Sequence, residues 1–229
     1  MKRSSLRRIR FLSKVAEAND SDTWNHTLRI NLYSSLLASR LGLVARFFRE
    51  IGLMAQMHDV GKVRLDNQIL SKPAELTPRE FEHVKLHPAL GAKMLGTEAD
   101  LGMARDIALC HHERYDGSGY PRGLRGVDIP LAGRIVAIVD VYDALRSRRP
   151  YKPPLSHEQT MKIILRGRER TRPEHFDPEI VEVPSFDGFA VPAWLYRPPG
   201  VERPPMIVSV HGGPEAQERA GFNPLYQYF

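Results

Sequence analysis

Cysteine is almost missing from this 229-residue chain: Cys110 is the only one, so no intrachain disulfide can form and nothing points to an oxidising compartment. A cytoplasmic protein is expected. Also missing is any apolar run approaching the ~18 residues of a membrane span, because charges interrupt every stretch such as Leu41 to Met57. No membrane partner is expected. The opening residues Lys2, Arg3, Arg7, Arg8 and Arg10 are followed only by Phe11, Leu12, Val15 and Ala16 as apolar positions, too little for the core of a signal peptide. They read as a basic, solvated first helix. Zinc-finger spacing and aromatic residues interleaved with basic ones are absent too. The net charge of +6 is dispersed among Arg7 and Arg8, Arg146 to Arg149 and Arg166 to Arg172. General nucleic-acid binding is therefore not expected, whereas a small anionic phosphate ligand suits the charge. There is no internal repeat and no low-complexity segment.

What is present is one full-sized domain with enough apolar residues for a core. Up to about residue 170 the period is helical. Leu28, Leu32, Leu36 and Leu37 recur at three- to four-residue spacing, as an amphipathic helix requires. Thr77-Pro78-Arg79-Glu80 predicts a helix start with Thr as N-cap, Pro in the first turn and Glu reaching back in a capping box. That helix is expected to carry Phe81, Val84 and His87. Further helices are predicted over 43–58, 99–112, 131–147 and 156–166, with a glycine-rich loop from Asp116 to Pro130. Near residue 183 the composition changes: eight of the 18 prolines lie at or beyond Pro184, and Val191 to Tyr196 and Met206 to Val210 read as strands. The expected organisation is a helical domain at 1–182 and a short, β-rich, incomplete segment at 183–229.

His58 and Asp59 stand together at the end of an apolar helical stretch, followed by Gly61 and Lys62. One His beside one Asp is, by itself, an ordinary capping pair at a helix end. Their company changes the reading: Asp22 and His26 at i,i+4, His87, the pair His111-His112, and Asp140 on a later helix. Five of the nine histidines belong to this set. Imidazole and carboxylate together suit borderline divalent metals such as iron, manganese or zinc, whereas calcium and magnesium prefer oxygen alone. A carboxylate can also bridge two ions, and Asp59 is the candidate bridge.

In order and spacing these residues resemble the HD-GYP family of phosphodiesterases, a branch of the HD metal-dependent phosphohydrolases. The matching text is His58-Asp59-Val60-Gly61-Lys62, Ile69-Leu70-Ser71-Lys72-Pro73, His87-Pro88, the run from His111 through Glu113 and Asp116-Gly117 to Gly119-Tyr120-Pro121, and Asp140-Val141-Tyr142-Asp143-Ala144-Leu145. The resemblance covers about residues 14 to 181 and implies an all-α, HD-type helical bundle. It implies that His26, His58, Asp59 and Asp140 form the basic metal set and that His87, His111 and His112 add the ligands of the HD-GYP branch. Asp22 sits where some members carry a glutamate that helps to hold a third metal. The implied cofactor is two or three divalent ions, iron or manganese.

The implied reaction is hydrolysis of cyclic di-GMP to pGpG, and in some members to GMP, by a water acidified between metals and placed in line with phosphorus. Lys62 resembles the lysine that approaches the scissile phosphate, and Arg149 and Lys152 resemble residues that contact the nucleotide phosphates. Tyr120 lies in the loop near the substrate. Asp143, one turn beyond Asp140, is expected either to orient a ligand or to act on the leaving oxygen. The sequence departs from the family at Arg148, where an aspartate is common. A second expectation is a regulatory module contacting a GGDEF-type diguanylate cyclase through Gly119-Tyr120-Pro121. Retention of every predicted ligand favours the enzyme. Residues 184–229 resemble the opening of a prolyl-oligopeptidase-type catalytic domain, from Ser185-Phe186-Asp187-Gly188 to His211-Gly212-Gly213-Pro214-Glu215. The Gly-x-Ser-x-Gly elbow is absent, so no peptidase activity is expected of this fragment.

Overall fold

In this computed structural model the described residues are 7–9, 11–12, 21–147, 153–168 and 170–178, together with two strands at 180–184 and 190–194; residues 21–24 and the strands are described by backbone only. Helix α1 (Ser21–Arg40) turns through Gly42, whose φ of 68° lies in the left-handed region, into α2 (Ala45–Ala55). The two pack along each other as a helical hairpin. The buried side of α1 is Thr27, Ile30, Ser34, Leu37 and Ala38; Leu28 and Leu32, expected on the core face, are exposed. The leucine spacing is helical, but a row containing Ile30 and Ala38 fits more closely against α2, and this settles the face.

After α2 the chain passes through His58 and Asp59 into a 3₁₀ turn (Val60–Arg64) and a single helical turn, α3 (Asn67–Leu70). The capping box at Thr77 forms as expected: Thr77 Oγ1 accepts from Glu80 N at 3.3 Å, and Glu80 Oε2 accepts from Thr77 N at 2.6 Å. Lys72 donates to both Glu80 oxygens. The helix it opens, α4 (Pro78–Val84), stops before His87, contrary to expectation. Pro88 has no N–H to continue the ladder, so a new helix, α5 (His87–Leu95), starts there with Pro88 in its first turn.

Helix α6 (Gly102–Cys110) follows a 3₁₀ turn (Ala99–Leu101), so the predicted 99–112 helix is divided and ends at His111 as C-cap. Helix α7 (Leu131–Arg146) is buried on several sides. Ala132, Ile135, Val136 and Val139 face the main core of α1, α2, α5 and α6, while Ile138 faces Met161 and Ile164 of α8 (His157–Arg166) and Phe176. Full burial of side chains such as Ile51, Met54 and Ile107 is worth about 1.5–3 kcal/mol each. The helical fold expected from the sequence up to about residue 170 is borne out. Strand β1 (Ile180–Pro184) pairs antiparallel with β2 (Ala190–Trp194), Ile180 opposite Trp194. The expected strand at 191–196 is thus present in large part, while β1 was not anticipated. The expected strand at 206–210 lies outside the described residues. Among the described residues, no helix is long and apolar enough to cross a membrane.

Candidate metal centre

Four helices and the turns beside them bring the predicted residues together. His26 comes from α1, His58 and Asp59 from the turn after α2, His87 from the first turn of α5, His111 and His112 from the end of α6, and Asp140 from α7. They form two sets whose ligand atoms lie within 4.8 Å of one another: His26, His58 and Asp140, and Asp59, His87, His111 and His112. Small residues allow this convergence. Gly61 lies against the backbone of α5, where a β-carbon would fall on the His87 carbonyl oxygen and 2.5 Å from Gly91 N. Close approach at this point sets Asp59 beside His87.

Asp59 straddles the two sets, as its expected bridging role requires. Its Oδ2 lies 3.2 Å from His58 Nε2, and its Oδ1 lies 3.3 Å from His87 Nε2 and 3.7 Å from His111 Nε2. Across each set, ring nitrogens face one another: His26 Nε2 and His58 Nε2 at 3.3 Å, and His87 Nε2 and His111 Nε2 at 3.3 Å. The other nitrogen of each ring is already engaged. His58 Nδ1 donates to Ala55 O, His87 Nδ1 to Val84 O, His111 Nδ1 to the Ile107 and Ala108 carbonyls, and His26 Nδ1 to Asp143 Oδ2. This network assigns the neutral rings a bare lone pair at Nε2. Facing lone pairs repel unless a cation lies between them, and the buried Asp59 Oδ1 accepts no hydrogen bond. The donor set therefore fits divalent metal on both sides of Asp59.

Proton affinities agree with this picture. Burial pushes His87 down to about 4, with His111 adding to the effect and Asp59 opposing it. Burial, His111 and His87 hold His112 well below the ordinary imidazole value. Both rings are neutral near pH 7 and free to ligate. Burial also opposes charge on His58, but the Asp59 carboxylate outweighs it and raises the pKa. Burial would raise Asp59, yet Lys62 and His58 draw it well below the usual carboxylate range. His58 and Lys62 thus answer the need for positive charge next to Asp59, while burial keeps His87 and His112 neutral.

Other predicted residues border this centre. Lys62 Nζ lies 2.5 Å from Asp59 Oδ2. Asp143 is buried, and its carboxylate is occupied by His26 Nδ1 at 2.7 Å, by Arg29 Nε at 2.5 Å and Nη2 at 3.0 Å, and by Ser147 Oγ. Burial opposes its charge, but the hydrogen bonds from His26 and Arg29 prevail and lower its pKa. Tyr120 stacks on His112, with ring centroids 4.8 Å apart and planes 29° apart. Arg149, Lys152 and the side chain of Asp22 lie outside the described residues.

Three residues of the site were not picked out from the sequence. Arg29 lies one turn beyond His26, and that spacing is the signal that could have found it. Glu113 follows the histidine pair, is buried, and accepts from Arg122 N at 2.8 Å and Leu124 N at 3.0 Å, fastening the loop that carries Tyr120. Lys85, next to Tyr120, has no sequence signal of its own. Gly119 packs so closely on the Arg114 and Glu113 backbone that a side chain would not fit. Glu113→Ala leaves two backbone donors of the loop without their acceptor. It is expected to cost about 1–3 kcal/mol of stability and to speed hydrogen exchange at Arg122 and Leu124, read by mass spectrometry.

Comparison with known proteins agrees with this geometry. Residues 10–180 match the HD domain family. A cyclic di-GMP phosphodiesterase of Vibrio cholerae is 42% identical over 186 residues, covering 75% of this chain and 37% of that protein. A cyclic di-GMP phosphodiesterase of Thermotoga maritima is 41% identical over 176 residues, covering 76% of this chain and 47% of that protein. A 3'3'-cGAMP-specific phosphodiesterase of V. cholerae is 38% identical over 174 residues, covering 75% of this chain and 33% of that protein. The aligned part thus spans less than half the length of each of these relatives.

Proposed function

We propose that this chain, which belongs to the HD domain family, is a metal-dependent phosphodiesterase of the HD-GYP branch that hydrolyses cyclic di-GMP to pGpG or GMP. The observation that carries the reading is Asp59, with one oxygen turned to each of two histidine sets. One ion would be held by His26, His58, Asp59 and Asp140, the other by Asp59, His87, His111 and His112. Mixed nitrogen and oxygen donors suit iron or manganese. Bound there, such ions acidify water and offset charge on phosphoryl oxygens. Relatives named for two cyclic dinucleotides support the substrate class.

The chain's own residues supply the rest. Lys62, part-exposed beside Asp59, adds a positive charge for the phosphate. Tyr120 walls the His112 side, and Arg149 and Lys152 are assigned to the outer phosphates. Asp143 acts as a positioning residue: already taken up by Arg29 and His26, it fixes the His26 tautomer instead of giving a proton to the leaving oxygen. Asp143→Ala is accordingly expected to lower metal affinity of the His26 side about 10- to 100-fold and leave the His87 side filled. Metal titration followed calorimetrically separates the two. The activity is assigned to residues 1–182, with 183–229 dispensable for it.

The test is to purify the full chain anaerobically, load manganese or iron, and follow cyclic di-GMP by chromatography. Conversion to pGpG or GMP that stops on chelation and returns with metal is expected. Metal-loaded protein that binds the nucleotide and leaves it intact would overturn the reading.

A further inference from the structure

Beyond the metal centre, Phe81 and Lys85 continue a row of side chains that reaches outward from His112. Tyr120, stacked on His112, has the ammonium of Lys85 over its other surroundings at 5.7 Å from the ring centroid. The same ammonium lies 5.0 Å from the centroid of Phe81, one turn earlier on α4. Lys85 is held in place by Glu82 at 2.6 Å. The row therefore runs outward from a metal-ligand candidate: His112, Tyr120, Lys85, Phe81. At its outer end Phe81 leaves 45% of its surface exposed and Leu86 leaves 50%.

We propose that Phe81 forms a nucleobase subsite, one face of its ring covered by the Lys85 ammonium and the other a stacking surface for a base. The proposal rests on the reading of this chain as a cyclic-dinucleotide phosphodiesterase and names how one base is recognised. Three features support it. An aromatic ring offers a base a planar partner without demanding hydrogen bonds. Lys85 covers one face of the Phe81 ring while 45% of the residue stays exposed, which leaves surface for a base. The row also begins at a metal-ligand candidate, His112, and reaches Phe81 through successive contacts of 4.8, 5.7 and 5.0 Å, so a phosphate held at the centre and a base at Phe81 would lie along one row. Tyr120, pressed on His112 and half-buried, stands between that ligand and Lys85.

The experiment measures binding by the metal-loaded full chain, using a phosphorothioate analogue of cyclic di-GMP that resists hydrolysis and, as a base-free probe, inorganic phosphate. Phe81→Ala is expected to weaken the analogue about tenfold, Phe81→Tyr to hold it within about twofold of the parent, and phosphate affinity to stay the same in all three. An analogue bound equally well by Phe81→Ala would overturn the proposal. So would an equal loss for analogue and phosphate, which would mark general damage to the site. Because binding and not turnover is read, a chain that binds through Phe81 and cleaves nothing refutes the phosphodiesterase reading while leaving this subsite standing.

Discussion

Asp59→Ala is expected to empty both halves of the metal centre at once, whereas His26→Ala empties one. The difference follows from geometry: Asp59 is the only described residue with an oxygen on each side, 3.2 Å from His58 and 3.3 Å from His87. Removing it deprives the His87 set of its carboxylate and leaves His26, His58 and Asp140 as a three-donor remnant. The loss in phosphodiester hydrolysis should reach roughly a thousandfold, equivalent to about 4 kcal/mol of transition-state stabilisation. The fold should survive, since Asp59 keeps about a fifth of its side-chain surface exposed and stands outside the apolar core. Metal content by mass spectrometry and circular dichroism together check this. Retention of one tightly held ion in Asp59→Ala would show that the sets are independent and the carboxylate is not a bridge.

Gly61→Ala acts on the same centre through the backbone. The added methyl would meet the carbonyl oxygen of His87 and the amide of Gly91, neither of which can swing aside as a side chain does. The 3₁₀ turn after Asp59 must then move away from α5, separating Asp59 from His87 and weakening the seam against Ala108, which lies 3.4 Å from the β-carbon position of Gly91. Overpacking of this kind costs about 1–3 kcal/mol or more. For a domain of this size that is a fall in Tm of roughly 2–12 °C. A thermal melt gives the stability change, and metal titration is expected to show the His87 side weakened more than the side formed by His26, His58 and Asp140. An unchanged melting temperature would mean that the turn has slack which the close packing does not suggest.

Much of this centre is legible before folding because its chemistry is written in residue types that few other tasks require together. Histidines at 26, 58, 87, 111 and 112 with aspartates at 59 and 140 are hard to explain as surface decoration, and most of them lie on or at the ends of helices whose period is plain. The capping box at Thr77 was readable for a similar reason, since both partners lie within one turn. What the sequence concealed depends on tertiary contact. The buried face of α1 was misjudged because leucine spacing is equally helical on either side, and only packing against α2 selects Ile30 and Ala38 over Leu28 and Leu32. The break before His87 needed Pro88 to outweigh a continuous helical pattern. Asp143 had two open roles until Arg29, 114 positions earlier in the chain, was seen to occupy it. Glu113 looked like one more acid beside the histidine pair, and its work in fastening the loop lies in bonds to Arg122 and Leu124.

The central claim is a two-ion centre built on one shared carboxylate, and anomalous diffraction from crystals of the manganese-loaded chain tests it most directly. Two anomalous peaks on opposite sides of Asp59 are predicted, one within ligand distance of His26, His58 and Asp140 and the other of His87, His111 and His112. A single peak, or peaks remote from Asp59, would contradict it.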